Sequence, residues 1–293
     1  MKLKLNPPAK FLREESRFGY NITLEMKKAW AVQIDLLQML LDICSKHGLC
    51  IYADGGTLLG AVRHEGYIPW DDDIDMVMLR EDYDKLMALA DEFEQPYFLQ
   101  SVYTDPHYTH RHAQLRNSDT ACWSVARKGC TEKYNQGIFI DIFPADILPS
   151  TARGFSRYYS RETRAKQRFR LVSKLGNAMP EPIYKWMRNN TQCLSDKYQF
   201  ACYEDVLRLN NKKDETSPVC EIAFNHCSPI NFFKEYGVPE YATFEYIKIP
   251  IPQQSRTMLA RQYGADYMTP HHVPAMHENL KFDVERSYKE YLV

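Results

Sequence analysis

Residues 71–79 read Asp-Asp-Asp-Ile-Asp-Met-Val-Met-Leu, an acidic run that passes straight into an apolar one. A segment as apolar as 74–79 is expected to be a buried strand. Side chains two apart on a strand share a face, so Asp73 and Asp75 project together while Ile74 and Met76 face the other way. Two carboxylates held so close repel, and a bound cation is the usual remedy. Hard oxygen donors with no neighbouring His or Cys favour Mg²⁺ or Mn²⁺ over zinc. Asp71 and Asp72 also fit an ordinary acidic turn before a strand.

Upstream, residues 50–53 read as a short buried strand that ends at Asp54-Gly55-Gly56. Thr57 is the expected cap of a short helix that Gly66 closes. Glycines between a strand and a helix leave backbone N–H groups open to phosphate, although a plain tight turn is the more common cause of two glycines. Because Arg63, His64 and then the acidic strand follow, Gly55, Gly56, Thr57, Arg63 and His64 read together as a phosphate cradle facing a metal. Asp141, the lone acid in the apolar run 137–143, is the candidate third carboxylate, since a buried unpaired carboxylate is costly. A structural ion pair is the alternative for Asp141. Asp146, just past Pro144, reads as a loop acid.

Apolar residues recur at helical spacing over 24–47, with Gly48 as the stop, and again over 81–93. Strand-like runs follow at 97–102, 112–116 and 137–143. Helix, strand, helix, strand and then several strands in succession predict an α+β fold, a mixed sheet with helices packed on it. From residue 151 the chain becomes helical, charged and aromatic to about 211, followed by strand-like runs at 220–224 and 244–249 and a helix over 253–264. The expected organisation is a core over 1–150, a helical basic and aromatic region over 151–215, and a segment over 216–293 that packs back on the core.

A net charge of -1 gives no reason to expect nucleic-acid binding. The eight cysteines form no C-x-x-C pair and, His226 beside Cys227 included, read as free thiols in a reducing cytosol. No apolar run is long enough for a signal peptide or a membrane span. The expected location is therefore cytoplasmic, with a peripheral position on the inner face of the cell membrane left open. Residues 153–174 hold eight Arg and Lys against Glu162 alone, interleaved with aromatic rings. Such a helix could rest on anionic lipid, grip an anionic glycan, or be a solvated face.

The stretch GGTLLGAVRHEGYIPWDDDIDMVMLREDYDKL resembles the signature of the LicD family, phosphocholine-type transferases of bacterial surface glycans. GIFIDIFPAD at 137–146 and IPIPQQSRTMLARQYGADYMTP at 249–270 resemble later motifs of that family. The family is related to fukutin-like phosphosugar transferases and, more distantly, to polymerase-beta-like nucleotidyltransferases. That superfamily pairs a Gly-Gly/Ser turn with a D-h-D strand and a third acid on a neighbouring strand. Gly55, Gly56, Asp73, Asp75 and Asp141 match those positions. The chain departs from the family where Ala265 separates Gly264 from Asp266, a place that more often reads Tyr-Gly-Asp-Tyr.

The resemblance implies a nucleotidyltransferase-like fold and a CDP-linked donor such as CDP-choline. It also implies a glycan or glycolipid acceptor and transfer of phosphocholine with release of CMP. Asp73, Asp75 and Asp141 would be the catalytic, metal-holding acids. A quaternary ammonium head group seeks aromatic faces, which makes Tyr52, Tyr67 and Trp70 candidates. Asp71, Asp72, Asp266 and Tyr267 are further candidates for head-group or acceptor contact. The rival readings are a D-x-D glycosyltransferase, a transferase of phosphoribitol, phosphoglycerol or a phosphosugar, and a nucleotide or choline binder without catalysis.

Overall fold

The computed structural model describes residues 3–127, 129–210, 214–221, 230–271 and 280–292. A hairpin of β1 (Glu15–Arg17) and β2 (Tyr20–Ile22) leads into the long helix α1 (Leu24–His47). Thr23 caps α1 by accepting from the Met26 N–H at 3.2 Å, and Gly48, at φ +63°, turns the chain out of it. Next come β3 (Tyr52–Ala53), α2 (Gly55–His64), β4 (Asp75–Leu79), α3 (Arg80–Met87) and β5 (Tyr97–Gln100). β6 (Ala113–Asn117), β7 (Ala121–Ser124) and β8 (Ile138–Ile147) complete the first half.

The fold is α+β, with β8 at the centre of a mixed sheet. β4 runs parallel to β8 on one side, while β6 and then β9 (Pro218–Cys220) pair antiparallel with it. β3 adds to β4, β5 to β6, and β10 (Asn231–Phe232) to β9, all antiparallel. Trp30, Leu36 and Leu37 of α1 are fully buried in the core that this sheet builds with the helix. Burial of this kind is worth about 1.5–3 kcal/mol per large apolar side chain.

Three helices follow β8: α4 (Ala152–Asn177), α5 (Glu181–Asn190) and α6 (Asp196–Leu207). Tyr158 and Phe169 of α4 pack with Phe200 and Tyr203 of α6 in a second core beside Val102 and Tyr108. Arg80 ties the two cores. Its guanidinium donates to both oxygens of Asp146 at 2.7 and 2.9 Å and to Glu204 at 3.0 Å. After β10 come α7 (Phe233–Tyr236), the hairpin β11 (Glu240–Phe244) and β12 (Ile247–Ile251), α8 (Ser255–Tyr263) and β13 (Leu280–Asp283), which pairs with β7.

Several expectations need correction. β4 begins at Asp75, so Asp73 lies in the extended run just before it. α2 begins at Gly55, which places Thr57 inside the helix; the left-handed residue that closes it is Glu65, at φ +54°, not Gly66. The helix expected over 81–93 is α3 followed by a separate turn at Ala90–Glu92. Asp146 is not a loop acid but a strand residue, 1% exposed and paired with Arg80. The strand expected at 220–224 is described as far as Cys220; its residues 222–224, like His226 and Cys227, lie outside the described residues. The seven described cysteines are free. No helix of the described residues is long and apolar enough to cross a membrane.

Candidate active site

The register of four strands lines up one row of polar side chains. Asp75 of β4 pairs with Asp141 of β8, and Asp141 pairs on its other side with Gln114 of β6. Asp54, at the end of β3, donates its backbone N–H to the Asp75 carbonyl at 3.0 Å and so continues the row beyond Asp75. Directly paired residues on neighbouring strands stand on one face of a sheet. The row therefore reads Asp54, Asp75, Asp141, Gln114 across the sheet.

The electrostatics of this row are uneven. Burial, then the charges of Asp73, Asp141, Asp54 and Asp71, push the Asp75 carboxyl well above the usual carboxylate range. Burial also pushes Asp141 up, but His112 and Gln114 overcome it and hold its carboxyl below the ordinary value. His112 Nε2 lies 2.9 Å from Asp141 Oδ1, and Gln114 donates to the same oxygen at 2.7 Å. Asp54 is raised by burial and shares a hydrogen bond with the carboxyl of Glu221, which burial and Asp54 raise further. Acids driven up by mutual repulsion are stabilised by a divalent cation.

Asp71, Asp72 and Asp73 each bring a carboxylate oxygen within 4.8 Å of the other two, a closeness found for this triple among the described residues. The tightest oxygen cluster is thus the loop run itself, ahead of the expected set Asp73, Asp75 and Asp141. Burial and then Asp73 push Asp71 up to about 8. α1 holds the run in place. Trp30 Nε1 donates to the Asp71 carbonyl at 3.1 Å and Gln33 Nε2 to the Asp72 carbonyl at 2.7 Å. Five carboxylates and no sulfur fit a hard divalent cation.

The α2 N-terminus abuts the same acids. A Cβ on Gly56 would lie 2.6 Å from Asp71 Oδ2, and one on Gly55, at φ +50°, would lie 3.4 Å from Asp75 Oδ2. The glycine pair therefore makes room for the acids as well as opening N–H groups, whose partial positive charge favours anions. Thr57 is buried, and its hydroxyl accepts the Asp75 N–H at 2.9 Å, which couples α2 to β4. Arg63 and His64 sit eight and nine residues past Gly55, about 12–14 Å farther along the helix axis. Arg63 donates to the Tyr267 carbonyl and to His64 Nε2, both at 2.8 Å. Burial and the cations Arg63 and Arg17 depress His64 to about 4. His64 is consequently neutral near pH 7 and can meet a phosphate only as an uncharged hydrogen-bond partner.

The aromatic candidates separate cleanly. Tyr52 is 1% exposed, with its hydroxyl bonded to the Gly237 carbonyl at 2.6 Å. Tyr67 is 2% exposed, stacked on Trp30 at 4.2 Å and bonded to Gln33 Oε1 at 2.9 Å. Both rings belong to the core and present no face to a head group, which corrects that expectation. Trp70 is half-buried, edge-on to Tyr20 at 6.3 Å, and keeps ring surface beside the acidic run. Asp266 is exposed and paired with His271 at 3.2 Å, so it stands apart from the acids that act on Asp75. Tyr267 takes part through its carbonyl. The C-terminal motif reaches the site through Tyr263 instead, whose phenol is raised by burial and by Asp54, Asp75 and Asp71.

Residues 48–171 match the family described as LicD/FKTN/FKRP, nucleotidyltransferase domain. Over those residues the chain is similar to the LicD family. The lipopolysaccharide cholinephosphotransferase LicD of Haemophilus influenzae is 26% identical over 153 residues, 52% of this chain and 56% of that protein. Uncharacterized proteins of Rickettsia prowazekii and Rickettsia typhi are 40% and 37% identical over 65 residues. The chain thus spans about half the length of the first of these relatives, at 56%, and 24% and 21% of the other two. The LicD match includes Asp54, Gly55, Gly56, the acidic run, Asp75, His112, Gln114 and Asp141, the whole cross-sheet row.

Proposed function

We propose that this chain is a LicD-family phosphotransferase that moves phosphocholine, or a similar phospho-alcohol, from a CDP-linked donor to a glycan hydroxyl. The acceptor would be a cell-surface glycan or its glycolipid precursor, of the lipopolysaccharide or teichoic acid kind. The observation that carries this reading is the parallel register of Asp75 with Asp141 beside the Asp71–Asp72–Asp73 oxygens. The cholinephosphotransferase relative supports the cargo.

Asp71, Asp72, Asp73, Asp75 and Asp141 would hold Mg²⁺ or Mn²⁺. Bound there, the cation neutralises the charge of the donor diphosphate, the main requirement of transfer at phosphorus. The acceptor oxygen attacks the phosphorus that bears the alcohol. The bond from that phosphorus to the bridging oxygen breaks, and CMP leaves with the electron pair. The acceptor proton passes to a carboxylate of the row, with Asp141 the assigned base. Trp30 and Gln33 orient the acidic run through its carbonyls. His112 and Gln114 fix one oxygen of Asp141 and leave the other to be shared between the cation and the acceptor. The α2 N-terminus faces the donor phosphates, and Trp70 with Tyr20 offers aromatic surface to a quaternary ammonium. Contact with an anionic membrane surface, at the inner face of the cell membrane, belongs to the same reading.

Incubation with Mg²⁺ and a panel of CDP-alcohols, following nucleotide release, tests it. CMP released from CDP-choline, and lost on Asp75→Asn or Asp141→Asn, is the expected result. Release of a nucleoside diphosphate from a nucleotide-sugar would move the chain to the glycosyltransferases.

A further inference from the structure

α4 presents a continuous exposed stripe that the transfer chemistry does not use. Arg153, Arg157, Arg161, Arg164 and Arg168 recur at spacings of three and four, and all five are exposed. At 3.6 residues per turn they occupy one face of the helix. The other side of the helix carries the buried Tyr158, Glu162, Phe169 and Val172, of which Tyr158 and Phe169 pack in the second core with α6. The same spacing continues past Arg168 to Leu171 and Leu175, and there the stripe changes from basic to apolar. Leu171 is 60% exposed and Leu175 42%.

α5 adds to this apolar end. A Cβ on Gly176 of α4 would meet the Tyr184 ring at 2.8 Å, so the two helices pack directly at that point. With Tyr184, Met187 and Arg188 turned inward, Ile183 and Trp186 stand outward at 51% and 61% exposure. Leu171 and Leu175 on α4 and Ile183 and Trp186 on α5 are thus large apolar side chains held in water on two directly packed helices, beyond the row of arginines; exposed apolar surface of this kind marks an interaction site. Leu and Trp bury favourably at the boundary between headgroups and acyl chains, and arginine guanidinium groups pair with anionic headgroups from there.

We infer that the exposed face of α4 and α5 docks on an anionic lipid bilayer, with Trp186, Ile183, Leu171 and Leu175 inserted and the α4 arginines on headgroup phosphates. Charge complementarity and the apolar end together favour a bilayer over a soluble polyanion, which would use the arginines and leave Trp186 idle. This inference deepens the membrane contact of the proposed function. Vesicle binding and CMP release in solution are separate readouts, so either can fail while the other stands.

The test is flotation of the full chain with phosphatidylcholine vesicles, with and without phosphatidylglycerol, together with tryptophan fluorescence. Binding to the phosphatidylglycerol vesicles is expected, with a blue-shifted emission that Trp186→Ala removes. Arg164→Gln and Arg168→Gln should each weaken binding about fivefold. These exposed positions leave the fold intact, and far-ultraviolet circular dichroism verifies this. Absence of binding to anionic vesicles overturns the inference. So does binding that responds to the arginines and not to Trp186, since that is electrostatic adsorption to headgroups without insertion.

Discussion

Asp75 and Asp141 stand side by side in parallel register on β4 and β8, and their surroundings drive them in opposite directions. Asp75 faces Asp73, Asp141, Asp54 and Asp71 and is pushed up after burial has raised it. Asp141 has His112 and Gln114 to hold its negative charge. In the proposed site a divalent cation would supply for Asp75 what those two side chains supply for Asp141.

That relationship predicts a metal-dependent stability. Mg²⁺ at a hundredfold excess over its Kd should stabilise the wild type by about 2.7 kcal/mol, read as a rise in Tm. Asp75→Asn should unfold in metal-free buffer at the wild-type temperature or above it, because it removes a group that its neighbours repel. The same variant should lose most of the Mg²⁺-dependent rise. An undiminished rise in Asp75→Asn would remove that carboxylate from the site.

Gln33 is the joint between the long helix and the acidic run. It donates to the Asp72 carbonyl and accepts from Tyr67. Gln33→Met leaves both partners buried without it, a loss of about 1–3 kcal/mol. Urea unfolding should show this loss, and metal titration should show weaker affinity, since the run is no longer fixed. Tyr67→Phe removes one of the two bonds and should do less of both.

The parts of this site visible in sequence are those held within a few residues. The glycine pair, the acidic run and the apolar strand after it are local, and α1 declares itself through long periodicity and a glycine stop. The members that were missed come into place through strand register. Gln114 and His112 reach Asp141 because β6 pairs with β8, and Tyr263 reaches the acids from a helix about 190 positions after β4 begins. Tyr52 and Tyr67 looked like binding-site rings because they are near the acids in sequence. Their hydroxyls are satisfied by Gly237 and Gln33, and only the tertiary fold determines that. A histidine-rich approach to β6, with His107, His110 and His112, was the available signal for the Asp141 partner.

The ion cluster at Arg80 predicts where the helical region depends on the sheet. Asp146 is 1% exposed, and Arg80 bridges it to Glu204 of α6. Asp146→Ala leaves a buried guanidinium short of its bidentate partner, a change that costs about 3–5 kcal/mol. Chemical denaturation should show that loss, with metal affinity in the surviving folded fraction unchanged.

His64 predicts an acid sensitivity of the fold. Its folded value is about 4 against 6.5 for the free side chain, with burial the first cause and Arg63 and Arg17 next. Between those values the unfolded chain binds a proton that the folded chain does not, so stability falls as pH drops from about 6.5 to 4. Above 6.5 the contribution is fully present. His64→Gln, which cannot titrate, should flatten this part of a plot of Tm against pH. An unchanged slope would mean that the ring charges in the folded state.

Gly56 and Gly60 lie one helical turn apart on α2 and predict opposite outcomes. A Cβ at Gly60 would meet the Gly66 carbonyl oxygen at 2.4 Å, a backbone atom that cannot yield cheaply. Gly60→Ala should therefore destabilise the chain by about 1–3 kcal/mol, as overpacking does. A Cβ at Gly56 would meet only the end of the Asp71 side chain, which can rotate away. Alanine is also the better helix former by roughly 0.5–1 kcal/mol, so Gly56→Ala should hold or gain stability. Because Asp71 must leave its place beside Asp73, metal affinity should fall with it. Calorimetric metal titration set against urea unfolding separates the two. Undiminished affinity in Gly56→Ala would show that Asp71 is dispensable to the site.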